Sequence, residues 1–353
     1  MRKVLYCVMF VAAAFLTLVS CNKEQVSSED SMLTINWEAA GATKGAPEGN
    51  EGTINTLWVY VFDANGMLDI SHECTAAEVS ARSCSFSVKT GNKTIYAIAN
   101  LSGGHLSDAN NCTTLSGLQG VVISLSDNSS SSFVMVGHNT KNHQTSTAGD
   151  PVALSMEHPI AKVRLGAVTN SLPGPYGAMT VKQVFLCNVV GNQNVAFNAS
   201  PSEWLNKSGT DGDGSNKAAT IGQGGHTAAV AGLTFYSLSQ AINISSSFTF
   251  NRLMYAMPNA NTGDINGYNT TFSPTATVMM VVVTIQGVDY YYPISLRSVG
   301  TLNANTEYTV NLTVKGLGNT LSDGPFNKIV KESLTASISV ADWVGTTPYT
   351  ETI

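Results

Sequence analysis

Charge is scarce in this sequence: Asp, Glu, Lys and Arg together make up 12% of its 353 residues. So little charge argues against long exposed helices held by i,i+4 ion pairs, whereas abundant Gly, Ser, Thr and Asn suit strands and turns. Basic residues are the rarer sign, and the net charge of −6 excludes nucleic acid as an expected partner. Cysteine is sparse and never at CxxC spacing, which argues against a zinc ribbon or a thioredoxin-type redox site. Also absent are a G-x-S-x-G elbow, a P-loop and an H-E-x-x-H helix, and the acids are too few to single out a catalytic pair. No catalytic, cofactor-binding or metal residue is assigned, and the chain is expected not to be an enzyme, although an active site assembled from distant strands would leave no local signature.

Long apolar runs are missing too, with one exception at the start. Arg2 and Lys3 precede an uncharged run from Val4 to Val19, and Leu18-Val19-Ser20-Cys21 places small residues before a cysteine. The run is about 16 residues, below the roughly 20 that span a bilayer as a helix. It reads as a lipoprotein signal covering residues 1–21, with Cys21 as the lipidated residue and its acyl chains as the membrane tether. Asn22-Lys23-Glu24 resembles the short charged signals that send lipoproteins of Bacteroides-type bacteria to the cell surface. Removing Arg2 and Lys3 takes the net charge from −6 to −8. Cys7 leaves with the signal, so Cys74, Cys84, Cys112 and Cys187 meet an oxidising compartment, where one or two disulfides or buried free thiols are both open.

The remaining residues exceed what one hydrophobic core usually serves, which makes two domains the expectation. Leu33, Ile35 and Trp37 share one side of a short strand that begins at Met32, and Ala40 to Gly52 reads as a loop. In Ile54 to Phe62 both faces are apolar, so that strand is placed centrally, and Asp63-Ala64-Asn65-Gly66 supplies a tight turn. Further strands are expected at Cys84–Lys89, Thr94–Ala99 and Phe133–Gly137, a short helix within Leu106–Leu125, and a surface loop over Asn139–Asp150. The pattern restarts at Ile160–Val168, so the boundary falls between 22–157 and 158–353. In the second half strands are expected at Thr180–Val190, Ser247–Met257, Val278–Gln286, Tyr290–Arg297 and Tyr308–Lys315, and Leu334, Ala336, Ile338 and Val340 alternate with polar residues before Trp343. Short strands at this spacing indicate an all-β chain of sandwiches or barrels.

Asp211-Gly212-Asp213-Gly214-Ser215-Asn216 offers alternating oxygens on a glycine turn, but an EF-hand needs Gly at position six and a bidentate carboxylate at twelve, where Asn216 and Gly222 stand. A loop is the expectation there. His138 and His143 lack a helical metal-binding context and read as solvated loop residues.

Several segments together resemble the fimbrillins, two-domain subunits of type V pili from Bacteroides-related bacteria. They are the lipobox at Cys21, Leu57-Trp58-Val59-Tyr60-Val61-Phe62-Asp63 leading to Asn65-Gly66, Thr94-Ile95-Tyr96-Ala97-Ile98-Ala99-Asn100, His158-Pro159-Ile160-Ala161-Lys162-Val163, Met254-Tyr255-Ala256-Met257-Pro258-Asn259, Tyr291-Tyr292-Pro293-Ile294, Glu307-Tyr308-Thr309-Val310 before Gly316-Leu317-Gly318, and Val340-Ala341-Asp342-Trp343. The resemblance implies two tandem transthyretin-like (Ig-like) antiparallel β-sandwiches. It also implies a life history: a lipoprotein of the outer membrane is trimmed of its first strand by a trypsin-like protease and joins a fimbrium when a neighbouring subunit's C-terminal segment fills the vacated groove.

Carried onto this chain, the removable strand holds Leu33, Ile35 and Trp37. The family's cut follows Arg, residues 22–81 contain none, and the matching position is Lys44 before Gly45. The donor segment spans about Ser333 to Ile353, with Leu334, Ile338, Val340, Trp343, Tyr349 and Ile353 as anchors. Two alternatives stay open: Leu334–Val340 is itself the donor, or it closes its own domain and the residues after Trp343 donate. The implied partners are neighbouring pilus subunits and, before processing, the membrane; no cofactor is implied. A pilus-tip or surface adhesin binding a host glycan or protein through loops such as Ser208–Gly225 is the alternative function.

Overall fold

The computed structural model describes residues 29–38, 49–145, 149–208, 231–265, 271–296, 301–327, 329, 334–342 and 349–352. Cys21, Lys44, Gly45, the Asp211–Asn216 stretch, Trp343 and Ile353 lie outside them, as does most of Ser208–Gly225.

The chain is all-β with a few short helices. The first half carries β1 (Asp30–Glu38), β2 (Leu57–Phe62), β3 (Leu68–Glu73), β4 (Ser83–Lys89), β5 (Gly91–Ala99), β6 (Val122–Ser124), β7 (Met135–His143) and β8 (Asp150–Ser155). Helices α1 (Ala76–Ala81), α2 (Gly103–Asn110) and α3 (Leu115–Gly120) interrupt them. The second half carries β9 (Ala161–Asn170), β10 (Met179–Cys187), the short β11 (Val189–Val190), β12 (Asn192–Asn194) and β13 (Trp204–Leu205), then β14 (Phe235–Ile242), β15 (Ser247–Ala256), β16 (Val278–Ile285), β17 (Val288–Ser295), β18 (Thr306–Val314), β19 (Leu334–Asp342) and β20 (Tyr349–Thr352).

Each half is a two-sheet sandwich, and the two repeat one topology. Sheet orders β4-β1-β8 and β3-β2-β5-β7 in the first half are matched by β15-β9-β18 and β14-β10-β16-β17 in the second. In both, the first strand of the sandwich lies parallel to its seventh: β1 with β8, and β9 with β18. The antiparallel expectation is thus refined by one parallel ladder per sandwich. Ends of a domain that run in the same direction pair this way when long connections separate them. After the seventh strand of the second sandwich, β19 and β20 extend the sheet beyond β18, giving β15-β9-β18-β19-β20.

Alternation of side chains on β2 explains its central place. Leu57, Val59 and Val61 join Leu33, Ile35 and Trp37 in the core between the two sheets. Tyr60 and Phe62 point the other way, into a second apolar layer with Leu118 of α3. On that side Tyr60 donates to Asn110 Oδ1 at 2.6 Å, which satisfies its buried hydroxyl. The turn after β2 has the expected chemistry: Asp63 Oδ1 accepts from the Asn65 and Met67 amides at 2.8 and 2.9 Å, and Gly66 takes φ +75°.

Two expectations are corrected. Asn139–His143 is strand rather than loop, paired along β5 from Gly91↔His143 to Ile95↔Asn139; β7 is a sheet edge, where polar residues are tolerated on both faces. His143 is fully buried instead of solvated, with Nδ1 3.2 Å from Asp150 Oδ2 and Nε2 3.3 Å from the Ser31 carbonyl. Cys74, Cys84, Cys112 and Cys187 are free thiols, so of the two cysteine readings the unbridged one holds.

Candidate strand-exchange groove

Strand β1 is the middle of its sheet. Its residues pair antiparallel with β4, from Asp30↔Lys89 to Asn36↔Ser83, and parallel with β8, from Leu33↔Asp150 to Glu38↔Ser155. Leu33, Ile35 and Trp37 point inward and are essentially unexposed, while Met32, Asn36 and Glu38 face out. Among the described strands, β4 and β8 have no ladder partner within this sheet other than β1. Withdrawing β1 therefore unpairs both walls at once and empties an apolar slot between them, a stronger opening than the loss of an edge strand, which leaves one wall.

The slot's ends are held by polar contacts. At the start of β1 the Ser31 carbonyl meets buried His143, whose other nitrogen faces Asp150; Lys141 Nζ lies 2.8 Å from Asp150 Oδ1. Desolvation opposes the Asp150 charge, but Lys141, the Gln144 amide and His143 together hold its carboxyl below the ordinary range. At the far end the Trp37 amide donates to the Arg82 carbonyl at 3.2 Å and the Met156 amide to the Glu38 carbonyl at 3.0 Å. The buried Trp37 Nε1 finds no hydrogen-bond acceptor among the described residues, a cost of about 1–3 kcal/mol that β1 carries in place.

Further along from β1, at residue 51, the chain is fastened to the second sandwich. Glu51 packs against β9 and β15: its Oε1 lies 3.0 Å from Lys162 Nζ and accepts from the Tyr255 hydroxyl at 2.8 Å, while its carbonyl accepts from His158 Nε2 at 2.8 Å. Lys162 also lies 3.5 Å from Glu307 Oε2, and Arg164 Nε donates to Glu307 Oε1 at 2.6 Å. A small ladder of β6 with β12 ties the halves a second time, from Val122↔Asn194 to Ser124↔Asn192. No local motif marks Glu51, because its partners come from strands far along the chain; His158 and Lys162 did belong to a segment singled out in the sequence, though without a role.

The named donor residues divide. Leu334, Ile338 and Val340 lie in β19, paired with β18 from Thr306↔Asp342 to Val314↔Leu334, and Ile338 is fully buried against the second sandwich. Tyr349 opens β20, which pairs with the outer edge of β19 from Ser337↔Thr352 to Val340↔Tyr349.

A family model for the major fimbrial subunit protein (FimA) matches residues 31–315. The chain belongs to the FimA family. The match ends one residue after β18, where the repeated sandwich topology closes, so β19 and β20 lie beyond it. The fold is similar to that of a Porphyromonas gingivalis fimbrilin, at a TM-score of 0.58 and 12% identity over 90% of this chain and 98% of that one. A candidate cell adhesion protein from Bacteroides eggerthii is similar at 0.58 and 19%, over 90% and 97%. One from Parabacteroides distasonis is similar at 0.58 and 13%, over 90% and 100%. No curated protein sequence matches the chain. The resemblance read from the sequence thus holds for this FimA-family chain, and with it a role as a fimbrial subunit at the cell surface in association with other subunits.

Proposed function

We propose that this fimbrial subunit is a stalk pilin that travels as an outer-membrane lipoprotein tethered through Cys21, is cut after Lys44, and polymerises when the C-terminal segment of one copy replaces β1 in the next. The observation that carries the reading is a pairing of slot and surplus. In the first sandwich β1 is the central strand of its sheet, and in the second β19 and β20 lie beyond a complete copy of the same topology. Leu334, Ala336, Ile338 and Val340 recur with the two-residue period that Leu33, Ile35 and Trp37 require of any replacement. Burying four such side chains contributes about 6–12 kcal/mol before entropy losses, a scale suited to a durable joint. In the free subunit β19 rests on β18, and exchange moves it to the neighbour. Such head-to-tail contacts do not close and generate a fibre. One cut at Lys44-Gly45 would remove both the lipid and the strand holding Leu33, Ile35 and Trp37.

The test is to treat the purified precursor with a protease that cuts after lysine and to follow filament formation by electron microscopy. Filaments after cleavage, and none from Lys44→Ala, are expected; cleavage at Lys44 that leaves monomers sinks the proposal. Deleting 346–353 and, separately, 334–353 distinguishes the two donor alternatives. If only the longer deletion abolishes filaments, β19 is the donor; if both do, the end of the chain with Tyr349 and Ile353 is required. Metabolic labelling with palmitate, lost in Cys21→Ala, tests the tether.

A second reading, a tip or surface adhesin, draws on one cleft of about 630 Å³ lined by Phe197, Trp204, Gln193, Asn198, Asn261 and Asn303. Aromatic faces beside side-chain amides are the groups that recognise a sugar. Binding on a glycan array that Trp204→Ala abolishes supports that reading; no binding by the folded monomer removes it.

A further inference from the structure

Three soft-metal ligands converge at the edge of the first sandwich without any spacing motif to announce them. His72 is near the end of β3, Cys74 directly follows that strand, and Cys84 is the second residue of β4. A ring nitrogen of His72 and the two sulfurs lie within 4.8 Å of one another. Both cysteines are buried and neither is in a disulfide. His72 is half-buried and opens the cluster to solvent on one side.

The histidine is held by a carboxylate. Its Nε2 lies 3.1 and 3.2 Å from the two Glu78 oxygens, and in the tautomer that donates Nε2–H to them Nδ1 carries the lone pair a cation would take. Glu78 is itself fixed by the capping box of α1: Oε2 accepts from the Thr75 amide at 2.7 Å, and the Glu78 amide donates to Thr75 Oγ1 at 3.3 Å. Those contacts, led by the Thr75 amide, hold the Glu78 carboxyl below its ordinary value. A carboxylate behind a histidine raises its basicity toward a cation. The two cysteines would bind as thiolates, and a bound cation would displace the thiol protons.

We propose that His72, Cys74 and Cys84 bind a thiophilic divalent cation of the zinc class, with Glu78 positioning the histidine and a water completing the shell. Tetrahedral zinc with Zn–S bonds of about 2.3 Å and a Zn–N bond of about 2.0 Å sets the sulfurs roughly 3.8 Å apart and the nitrogen roughly 3.5 Å from each, so atoms within 4.8 Å reach it by a contraction of no more than about 1.3 Å. A Cys74–Cys84 disulfide would use the sulfurs alone and leave the ordered His72–Glu78 pair without a part; the convergence of a third, oriented donor favours the ion. The consequence for assembly rests on the strand-exchange reading, whereas binding does not. Ile35 pairs with Cys84, and β1 is the sole ladder partner of β4 among the described strands. An ion clipping Cys84 to His72 and Cys74 would hold β4 against the other sheet while β1 is absent, preserving one wall of the groove.

The experiment adds cobalt(II) to the reduced, purified full chain and records absorption. Thiolate-to-cobalt charge transfer at one equivalent, bleached by zinc, is expected; it should fall at least tenfold in Cys74→Ser and His72→Ala and persist in Cys112→Ser and Cys187→Ser. Should the variants fail to fold, the wild-type spectrum and the metal content of the protein purified with zinc decide alone. Absence of the band at saturating cobalt overturns the proposal, as does a peptide mass showing Cys74 and Cys84 joined in the protein purified without reductant. Loss of filaments with an intact cobalt spectrum would count against strand exchange and leave the metal site standing.

Discussion

Glu51 and Lys162 form a buried ion pair across the two sandwiches, 3.0 Å apart with both side chains 2% exposed. Glu51 follows Lys44 closely in sequence and stays on the body of the protein if the cut is made there. The pair is therefore positioned to keep the new chain end pinned to the second sandwich while the groove in the first is open.

Breaking this pair from one side removes the nearer charge partner in a dry site, with Glu307 left 3.5 Å from Lys162. Glu51→Gln or Lys162→Met alone is expected to cost about 3–5 kcal/mol, whereas replacing both should cost clearly less than the sum. Urea denaturation of the four proteins measures the cycle. Additive losses would mean that the two charges do not act as a pair.

Removal of β1 on processing, as proposed, predicts a difference between two states of one protein. Ile35→Ala empties a fully buried position and should destabilise the precursor by about 2–5 kcal/mol. The same substitution should leave processed filaments unchanged in denaturant resistance, because residue 35 is no longer there. Equal losses in precursor and filament would show that β1 is retained.

Much of this architecture could be read from residue pattern, and the parts that could not share a cause. Strands buried on both faces, such as β2, β5 and β16, stand out as apolar runs. By contrast β3, β8 and β14, which were not expected, are all edges of their sheets, and β7, whose polar half was read as loop, is another. An edge strand has half its surroundings in water and needs no apolar pattern. Helix α1 did have a legible signal, Thr75-x-x-Glu78, which proves to be its capping box. Within the groove, Leu33, Ile35 and Trp37 were legible from their period, but the central position of β1 was not, since its neighbours Cys84 and Val152 lie far apart in sequence. The His143 contact to Ser31 and the Glu51 joint are long-range for the same reason.

The surplus strand makes a prediction that separates folding from assembly. Since the second sandwich repeats the topology of the first without β19, Ile338→Asp should leave a folded monomer from which β19 is released, destabilised by the lost burial of that strand's apolar side chains against β18. Filament formation after cleavage should be abolished, because a carboxylate would have to enter the apolar slot of the neighbour. Circular dichroism and electron microscopy of one preparation read both outcomes. An unfolded Ile338→Asp monomer would show that β19 is an integral strand of its own domain.

The joint around Glu51 should also respond to pH through His158. Burial, partly offset by the Glu51 carbonyl, lowers the His158 pKa from its ordinary value. A histidine depressed in the folded state binds fewer protons there than in the unfolded chain. Its contribution is complete above the unfolded value of about 6.5 and is lost as the pH falls below it, with a slope of at most about 1.4 kcal/mol per pH unit. The urea midpoint of the precursor should therefore drop between about pH 7 and about pH 5.5. In His158→Gln the side-chain amide can still donate to the Glu51 carbonyl but does not titrate, so the drop over that interval should shrink. The same fall in both proteins would place the responsible proton elsewhere.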